Sequence, residues 1–236
     1  MTERINHLGQ PIGFPLPDWQ PRQRPPATPM RGRTCDVVPL DPAQHAPDLF
    51  AAAELDTDGR NWTYLAVGPF LRYDDFRAWL DGAATDSERV FYATIDGKTG
   101  RATGVASYLR IDVAVGSIEV GHIYYSPLLQ RRPAATETMY LMMRRVFDEL
   151  GYRRYEWKCD ALNAPSRAAA ERLGFRFEGI FRQATVYKQR NRDTAWFSII
   201  DGEWPALKAA FEAWLAPENF DAEGKQRRSL ASLRRT

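Results

Sequence analysis

A short basic segment, Gln130-Arg131-Arg132-Pro133-Ala134-Ala135, lies between a stretch typical of a strand and a stretch typical of a helix. A loop of this kind that opens directly into a helix presents unpaired backbone N–H groups and the positive end of the helix dipole. Both features favour phosphate, and two arginines add charge. The segment therefore predicts a phosphate site, although by itself it does not say which phosphate compound binds.

Several common site motifs are absent from the chain. The patterns GxxxxGK[ST], GxGxxG, GxSxG and HExxH do not occur. The sequence therefore lacks the motifs typical of P-loop nucleotide hydrolases, dinucleotide-dependent oxidoreductases, serine hydrolases and zinc proteases. Cys35 and Cys159 are too few for a disulfide framework and too far apart in the chain for a metal knuckle. We expect no metal site, and two free buried thiols.

A second motif follows about thirty residues later. Asn163-Ala164-Pro165-Ser166-Arg167 is followed by Glu171-Arg172-Leu173-Gly174-Phe175, and the basic segment itself continues as Ala135-Thr136-Glu137. Together these blocks resemble the GCN5-related N-acetyltransferase (GNAT) superfamily, and within it the branch similar to ribosomal-protein serine and alanine N-acetyltransferases. The family signature [QR]-x-x-G-x-[GA] is matched except at Pro133. The resemblance covers roughly residues 34–216.

This resemblance implies a mixed, mostly antiparallel sheet flanked by helices, in which two central strands splay apart. Acetyl-CoA would be the co-substrate, with its pantetheine arm in the gap and its diphosphate on the amides of residues 131–136. An amine would be the acceptor. The implied cofactor-binding residues are Ile123, Tyr124, Tyr125, Gln130, Arg131, Arg132, Ala134, Ala135, Thr136, Asn163, Ser166 and Arg167.

Two positions depart from the family pattern. Pro133 replaces the central glycine and has no N–H to donate, although proline suits the first position of a helix. Ala170 stands where many members carry a tyrosine that protonates the leaving thiolate. Ser166, or Asn163 through a water molecule, is the substitute that we name. Ser166 could equally be a helix cap.

Two residues are candidates for the base that deprotonates the amine. An amine with a pKa near 10.4 is protonated at pH 7, so transfer needs a base or a desolvating pocket. Glu119 lies eleven residues before Gln130, where family members place a glutamate base. The alternatives for Glu119 are an ion-pair partner or a solvent-facing residue. His122 is the rival, but regular alternation puts it on the opposite face of the strand unless the strand bulges.

The remaining pattern divides the chain into three parts. We expect residues 1–33, with seven prolines, to form an extended arm packed on the body, 34–216 to form the acetyltransferase domain, and 217–236 to form a basic tail. Within the domain, the predicted strands are 34–40, 89–95, 103–112, 117–125, 155–159, 175–188 and 194–200, with a turn at Asn191. The predicted helices are 42–54, 73–81, 139–150, 163–173 and 204–215.

Composition limits the classes of protein further. The chain has 236 residues, 44% of them apolar, and a net charge of +2, which suits one domain with arms. Both ends are basic, with five arginines against two acidic residues in 1–35 and five basic against three acidic residues in 217–236. We see neither a signal peptide nor a membrane span, and we expect a cytoplasmic protein. We do not expect nucleic acid to bind, and a homodimer stays open.

Two alternatives to an enzyme stay open. The departures at Pro133 and Ala170 are compatible with an acyl-CoA-binding module of the same fold that does not catalyse transfer. The basic ends are compatible with a protein associated with RNA or the ribosome.

Overall fold

An eight-stranded mixed sheet forms the centre of the protein. The computed structural model describes residues 4–234, so the first three residues of the predicted arm and the last two of the predicted tail lie outside the described residues. The strands are β1 (Arg4–Ile5), β2 (Pro11–Ile12), β3 (Met30–Arg31), β4 (Cys35–Pro39), β5 (Val90–Asp96), β6 (Ala102–Asp112), β7 (Ser117–Tyr125), β8 (Arg154–Asp160), β9 (Arg176–Tyr187) and β10 (Arg190–Ile200). The helices are α1 (Pro42–Ala53), α2 (Tyr73–Ala84), α3 (Pro133–Arg144), α4 (Ala164–Leu173), α5 (Trp204–Leu215) and α6 (Leu230–Leu233).

The order of strands in the sheet is β3-β4-β5-β6-β7-β8-β10-β9. Strands β5, β6 and β7 form the predicted antiparallel meander, and β7 and β8 are parallel neighbours joined by a crossover through α3. Every other pair of neighbours in this sheet is antiparallel. The fold is therefore the mixed, mostly antiparallel α/β class that the sequence predicts.

Helices cover both faces of the sheet and bury one apolar cluster on each. On one face, α3 and α5 pack on residues such as Ile118, Val120 and Tyr155, which are fully or almost fully buried. On the other face, α1 and α2 pack on Ala93 and Tyr124. The sheet side chains alternate between these two clusters, so the cluster that a residue joins shows which face it occupies.

Helix α3 corresponds to the helix predicted over 139–150, but it begins earlier. It starts at Pro133, because proline is well accommodated at the first helical position. Beyond Arg144 it continues as a turn of π-helix, Arg145–Glu149, before Gly151. The basic segment therefore lies immediately at the start of this helix.

The arm lies along the body, and its backbone carbonyl groups accept hydrogen bonds from body side chains. Tyr92 donates to the carbonyl of Pro26, Tyr152 to that of Gln23, and Arg145 to those of Thr28 and Pro29. Trp19 also donates its indole N–H to the carbonyl of Ala114. The earlier apolar side chains of the arm are exposed, namely Ile5, Ile12, Phe14 and Leu16.

The C-terminal segment also packs on the body. Leu230 is 1% exposed, and the indole N–H of Trp214 donates to Gln226. One detail of the sequence prediction is wrong: Asn191 lies inside β10, and the hairpin turn is formed by Lys188 and Gln189, both with positive φ. Between residues 4 and 234, no helix has the length and hydropathy that a membrane crossing requires.

Candidate active site

A gap opens in the sheet between β7 and β8. The two strands pair from Ser117 opposite Arg154 to Val120 opposite Trp157, and their pairing ends there. Strand β7 nevertheless continues to Tyr125 and β8 to Asp160. Facing backbone groups in these end segments are not bonded across the gap, so a ligand with amide groups can pair with them as another strand would. The predicted splaying is therefore present.

A β-bulge at His122 lies just past Val120, the last residue of β7 that pairs with β8. Ser107 of β6 pairs with Gly121, and Val105 pairs with Tyr124, so β7 has one residue more than β6 in this interval. His122 itself has a φ of 48°, a conformation uncommon for a residue other than glycine. A bulge of this kind bends its strand and reverses which face the following side chains occupy.

The bulge places His122 on the same face as Glu119, contrary to the expectation from regular alternation. The imidazole Nδ1 lies 2.9 Å from the Ser107 hydroxyl, and its ring lies 5.1 Å from that of Phe91, which packs under α1 and α2. Burial, together with the nearby Arg89 guanidinium, lowers the pKa of His122 to about 4. The imidazole is therefore neutral near pH 7.

Glu119 is buried and bound to two cations. Its side chain is 4% exposed, and both carboxylate oxygens accept from Nη1 of Arg110, at 2.8 and 2.7 Å. The Nζ of Lys158 lies 2.9 Å from its Oε2. The ion-pair role that the sequence analysis kept as an alternative is thus present, and it does not by itself decide whether Glu119 also accepts a proton.

Lys158 is a site residue that the sequence analysis missed. Its ammonium lies 2.8 Å from Glu156 and 3.6 Å from the centre of the Trp196 ring, and its side chain is 6% exposed. Two carboxylates and an aromatic face together offset the loss of hydration of a buried ammonium. The alternation of β8, with tyrosine, tryptophan and cysteine on the α3 face, was the available signal that Lys158 points to the face of Glu119.

The start of α3 presents unsatisfied hydrogen-bond donors. Arg132 occupies the N-cap position without a capping bond from its side chain, and Arg131 has a φ of 59°. Among the described residues, the backbone N–H groups of Arg131 and Ala134 have no acceptor, whereas that of Ala135 donates to the carbonyl of Arg132. Neither arginine forms an ion pair within residues 4–234, and both are exposed. The arrangement suits an anion.

Side chains fix the position of this loop. Gln130 donates to the carbonyl of Tyr125, at 2.8 Å, and to Asn61, at 2.9 Å, which ties the loop to the end of β7. Thr136 accepts from the guanidinium of Arg172 on α4, at 3.0 and 3.1 Å. The loop is thus held at the end of β7, and the first turn of α3 is held against α4.

Glu137 ties α3 to the junction between the arm and β4. The sequence analysis missed this structural role. The residue is 4% exposed. Its carboxylate accepts from the backbone N–H groups of Arg33 and Thr34, at 2.8 and 2.5 Å, and from that of Cys35 at 3.2 Å. A buried carboxylate needs several donors, and here the junction of arm and β4 supplies them. Cys35 itself has a pKa raised to about 12 by burial.

The start of α4 is capped. The side chain of Asn163 accepts from the backbone N–H of Ser166 at 3.1 Å, so Asn163 is the cap and Ser166 is not. The Ser166 hydroxyl accepts from the indole N–H of Trp157 at 3.0 Å, and the Cys159 thiol is a second hydrogen-bond partner within its reach. Arg167 donates to the carbonyl of Ala161 at 3.2 Å. Ala170 is fully buried.

The three residues at the end of β7 occupy both faces. Ile123 and Tyr125 point to the α3 side, where the Tyr125 hydroxyl donates to the carbonyl of Ala135 at 3.4 Å. Tyr124 points to the α1 and α2 side and stacks on Trp62, with ring centres 4.2 Å apart. The structure therefore brings the backbone of these residues to the gap and directs their side chains into the two cores.

Comparison with known proteins identifies the family. The Acetyltransferase (GNAT) domain matches residues 37–176, which is more than half of the chain. The chain belongs to the GNAT acetyltransferase family. No curated protein sequence matches it. A GCN5-related N-acetyltransferase from Brucella melitensis is 50% identical over 94% of this chain and 100% of its own, with a TM-score of 0.92. A protein described as a GNAT acetyltransferase from Chromobacterium violaceum ATCC 12472 is 41% identical, over 83% of this chain and 98% of its own, with a TM-score of 0.77.

More distant GNAT structures share the fold alone. One from Vibrio cholerae, described as a ribosomal-protein-serine acetyltransferase, is 16% identical over 75% of this chain and 99% of its own, with a TM-score of 0.64. The Microcin C7 self immunity acetyltransferase MccE, solved in complex with acetyl-CoA and AMP, is 19% identical over 72% of this chain and 93% of its own, with a TM-score of 0.63. Within the described part of the GNAT chain, no three His, Cys, Asp or Glu side chains are grouped as a metal ion would need.

Proposed function

We propose that this GNAT protein transfers an acetyl group from acetyl-CoA to a primary amine by direct attack. The observation that carries the proposal is the combination of the gap between β7 and β8 with the unsatisfied donors at the start of α3. Membership of an acetyltransferase family and the acetyl-CoA bound by MccE support the choice of co-substrate.

The residues around the gap fit the chemical groups of coenzyme A. The amides of Arg131 and Ala134, with the two arginine side chains of the loop, supply donors and charge for a diphosphate. Arg167, also without an acidic partner among the described residues, adds positive charge at the opposite helix. The amides of a pantetheine chain can pair with the exposed backbone of β7, near Ile123 and Tyr125.

The reaction that we propose balances without a covalent enzyme intermediate. The amine lone pair attacks the thioester carbonyl carbon, the C–S bond breaks, and an amide forms. The amine loses a proton, and the thiolate of coenzyme A leaves and takes one up. Unpaired backbone N–H groups in 121–125 are placed to stabilise the oxyanion that forms during attack.

Three side chains are candidates for the proton transfers. We assign Glu119 as the acceptor of the amine proton, directly or through water, and His122 as a neutral hydrogen-bond partner of the amine. We assign Ser166 as the donor to the departing thiolate, because its hydroxyl lies in the first turn of α4 and is oriented by the bond that it accepts from Trp157.

The test is an assay of acetyl-CoA with a panel of primary amines, measuring thiol release and the mass of the product. We expect an acetylated amine and at least a tenfold lower kcat in Glu119→Gln, with a smaller loss in Ser166→Ala. Unchanged kcat in both variants would remove the assigned roles. No product with any amine would remove the proposed function.

A non-catalytic acyl-CoA-binding module is the second candidate. It is favoured by Pro133, which supplies no N–H at the first position of α3, and by Ala170, which is fully buried where a proton donor would be. Saturable binding of acetyl-CoA without turnover of any amine would support this module.

A further inference from the structure

Two strained residues lie on neighbouring strands beside Glu119. Arg110 of β6 has a φ of 44° and His122 of β7 a φ of 48°. Each lies at a break in the β6–β7 register, and Arg110 falls between the pairs that Leu109 and Asp112 make. Residues other than glycine adopt this conformation at a cost, and such positions concentrate where a side chain is held for a purpose.

At Arg110 the strained backbone is combined with a fixed guanidinium. Its Nη1 donates to both oxygens of Glu119, which Lys158 also holds from the other side. Among the described residues, its Nε and Nη2 have no partner, and the side chain is 61% exposed. The edge formed by Nε and Nη2 is therefore oriented by a buried ion pair and open to solvent.

Arg89 is a second arginine near His122, and it differs from Arg110 in its acidic partner. Arg89, which with Arg110 faces His122, is already paired with Asp86 at 2.6 Å, so its charge is compensated by its own neighbour. Arg110 shares the Glu119 carboxylate with Lys158, whose ammonium is also paired with Glu156, so what Arg110 offers a ligand is the open edge of its guanidinium.

We propose that Arg110 binds a carboxylate of the acceptor, so that the acceptors are amino carboxylates. This inference rests on the proposed acetyl transfer. Two parallel N–H groups on one guanidinium edge match the two oxygens of a carboxylate. Arg110 and His122 lie on the same face of adjacent strands, so a carboxylate at Arg110 directs the rest of the acceptor along β7 towards the gap.

The test compares amines that differ only in the carboxylate. Glycine, β-alanine, 4-aminobutyrate and 5-aminovalerate are each compared with the corresponding amide, using kcat/KM with acetyl-CoA. We expect the wild-type protein to prefer at least one carboxylate over its amide by about tenfold or more, mainly through KM. Arg110→Gln should bring this ratio close to one, and Arg110→Lys should restore part of it.

The matched control is Arg31→Gln, because Arg31 is also an exposed arginine paired with one carboxylate, that of Asp36, but lies at the edge strand β3. It should keep the full preference. Arg110→Gln could unfold because Glu119 loses a partner. In that case the double variant Arg110→Gln, Glu119→Gln removes the unpaired charge. Its melting temperature then checks that it is folded, and its affinity for the carboxylates is measured in place of the ratio of kcat/KM values.

The outcomes separate this inference from the proposed function. Acetylation of carboxylates and amides at equal kcat/KM by the wild-type protein overturns the inference and leaves acetyl transfer standing. A preference that survives in Arg110→Gln also overturns it. If no amine of any kind is acetylated, the proposed function fails and the inference fails with it.

Discussion

The two helices that begin beside the gap differ in how their first backbone N–H groups are satisfied. At α4, Asn163 accepts from Ser166, and the helix start is complete within the chain. At α3, Arg132 forms no such cap, and the N–H groups of Arg131 and Ala134 have no acceptor in the described part of the protein. Both helices follow strands and both begin with a proline in their first turn, so sequence context alone does not distinguish them.

We interpret this difference as separating a helix start that is structural from one that we propose as a binding site. Orphaned donors at a helix terminus are satisfied by a side chain, by water or by a ligand. Since α4 supplies its own acceptor, we expect Asn163 to contribute chiefly to folding. Since α3 supplies arginines instead, its start has donors and charge left for an anion. Substitutions at the start of α3 should therefore lower the affinity for coenzyme A, whereas substitutions of the cap of α4 should lower the free energy of unfolding.

The largest effect is expected from reversing charge at α3. The double variant Arg131→Glu, Arg132→Glu should weaken coenzyme A binding at least a hundredfold in equilibrium dialysis, because two favourable charges become repulsive. Its melting temperature should change little, since both side chains are exposed. The matched reversal at α4, Arg167→Glu, should weaken binding by a smaller factor. Equal losses at the two helices would remove the distinction.

A pH effect is expected on the stability of the fold. His122 has a pKa of about 4 in the folded protein, against about 6.5 when unfolded, so protonation favours the unfolded chain. Its stabilising contribution is present above pH 6.5 and is lost as the pH falls towards 4, by at most about 3 kcal/mol. Urea unfolding across this range should show the loss, and His122→Gln should reduce its slope. A slope that is the same in the variant would contradict the assignment.

A smaller effect is expected at the cap of α4. Asn163→Ala should lower the free energy of unfolding by about 1 kcal/mol, because the N–H of Ser166 loses its acceptor. Asn163→Asp should retain most of the stability, since aspartate also caps helices. Affinity for coenzyme A should change less than tenfold in either variant. A loss of affinity as large as that of the arginine reversal would mean that Asn163 serves binding.

The smallest effect is expected at Pro133. Pro133→Gly introduces an N–H at the first position of α3 and should strengthen coenzyme A binding by a few fold at most, since the added donor is offset by greater flexibility. Pro133→Ala separates the two contributions, because it adds the N–H with less flexibility. Weaker binding in both variants would indicate that no anion lies against this turn.

Local patterns predicted much of the fold. The bounds of Ser117–Tyr125 and Trp204–Leu215 agree with the structure, because alternation and helical periodicity are strong in those segments. The basic segment correctly predicted that a helix follows it, although the predicted helix began at 139 and α3 begins at Pro133. These features depend only on residues that are close together in the chain, so they can be predicted from one sequence.

The contacts of Glu119 could not be predicted in the same way. Arg110 and Lys158 come from two different strands, and the bulge at His122 depends on the register between β6 and β7. A register shift of one residue changes the face of every following side chain, and no local pattern fixes it here. Glu137 was quoted as part of a motif, but its donors come from about a hundred residues earlier in the chain.

The central claim is that the start of α3 binds the diphosphate of coenzyme A while the gap between β7 and β8 holds its pantetheine arm. Calorimetric titration of the wild-type protein with coenzyme A and, separately, with pantetheine tests this most directly. We predict one saturable site for coenzyme A and binding of pantetheine at least a hundredfold weaker, because pantetheine lacks the diphosphate and the nucleotide. No heat with coenzyme A, or equal affinity for the two compounds, would contradict the account.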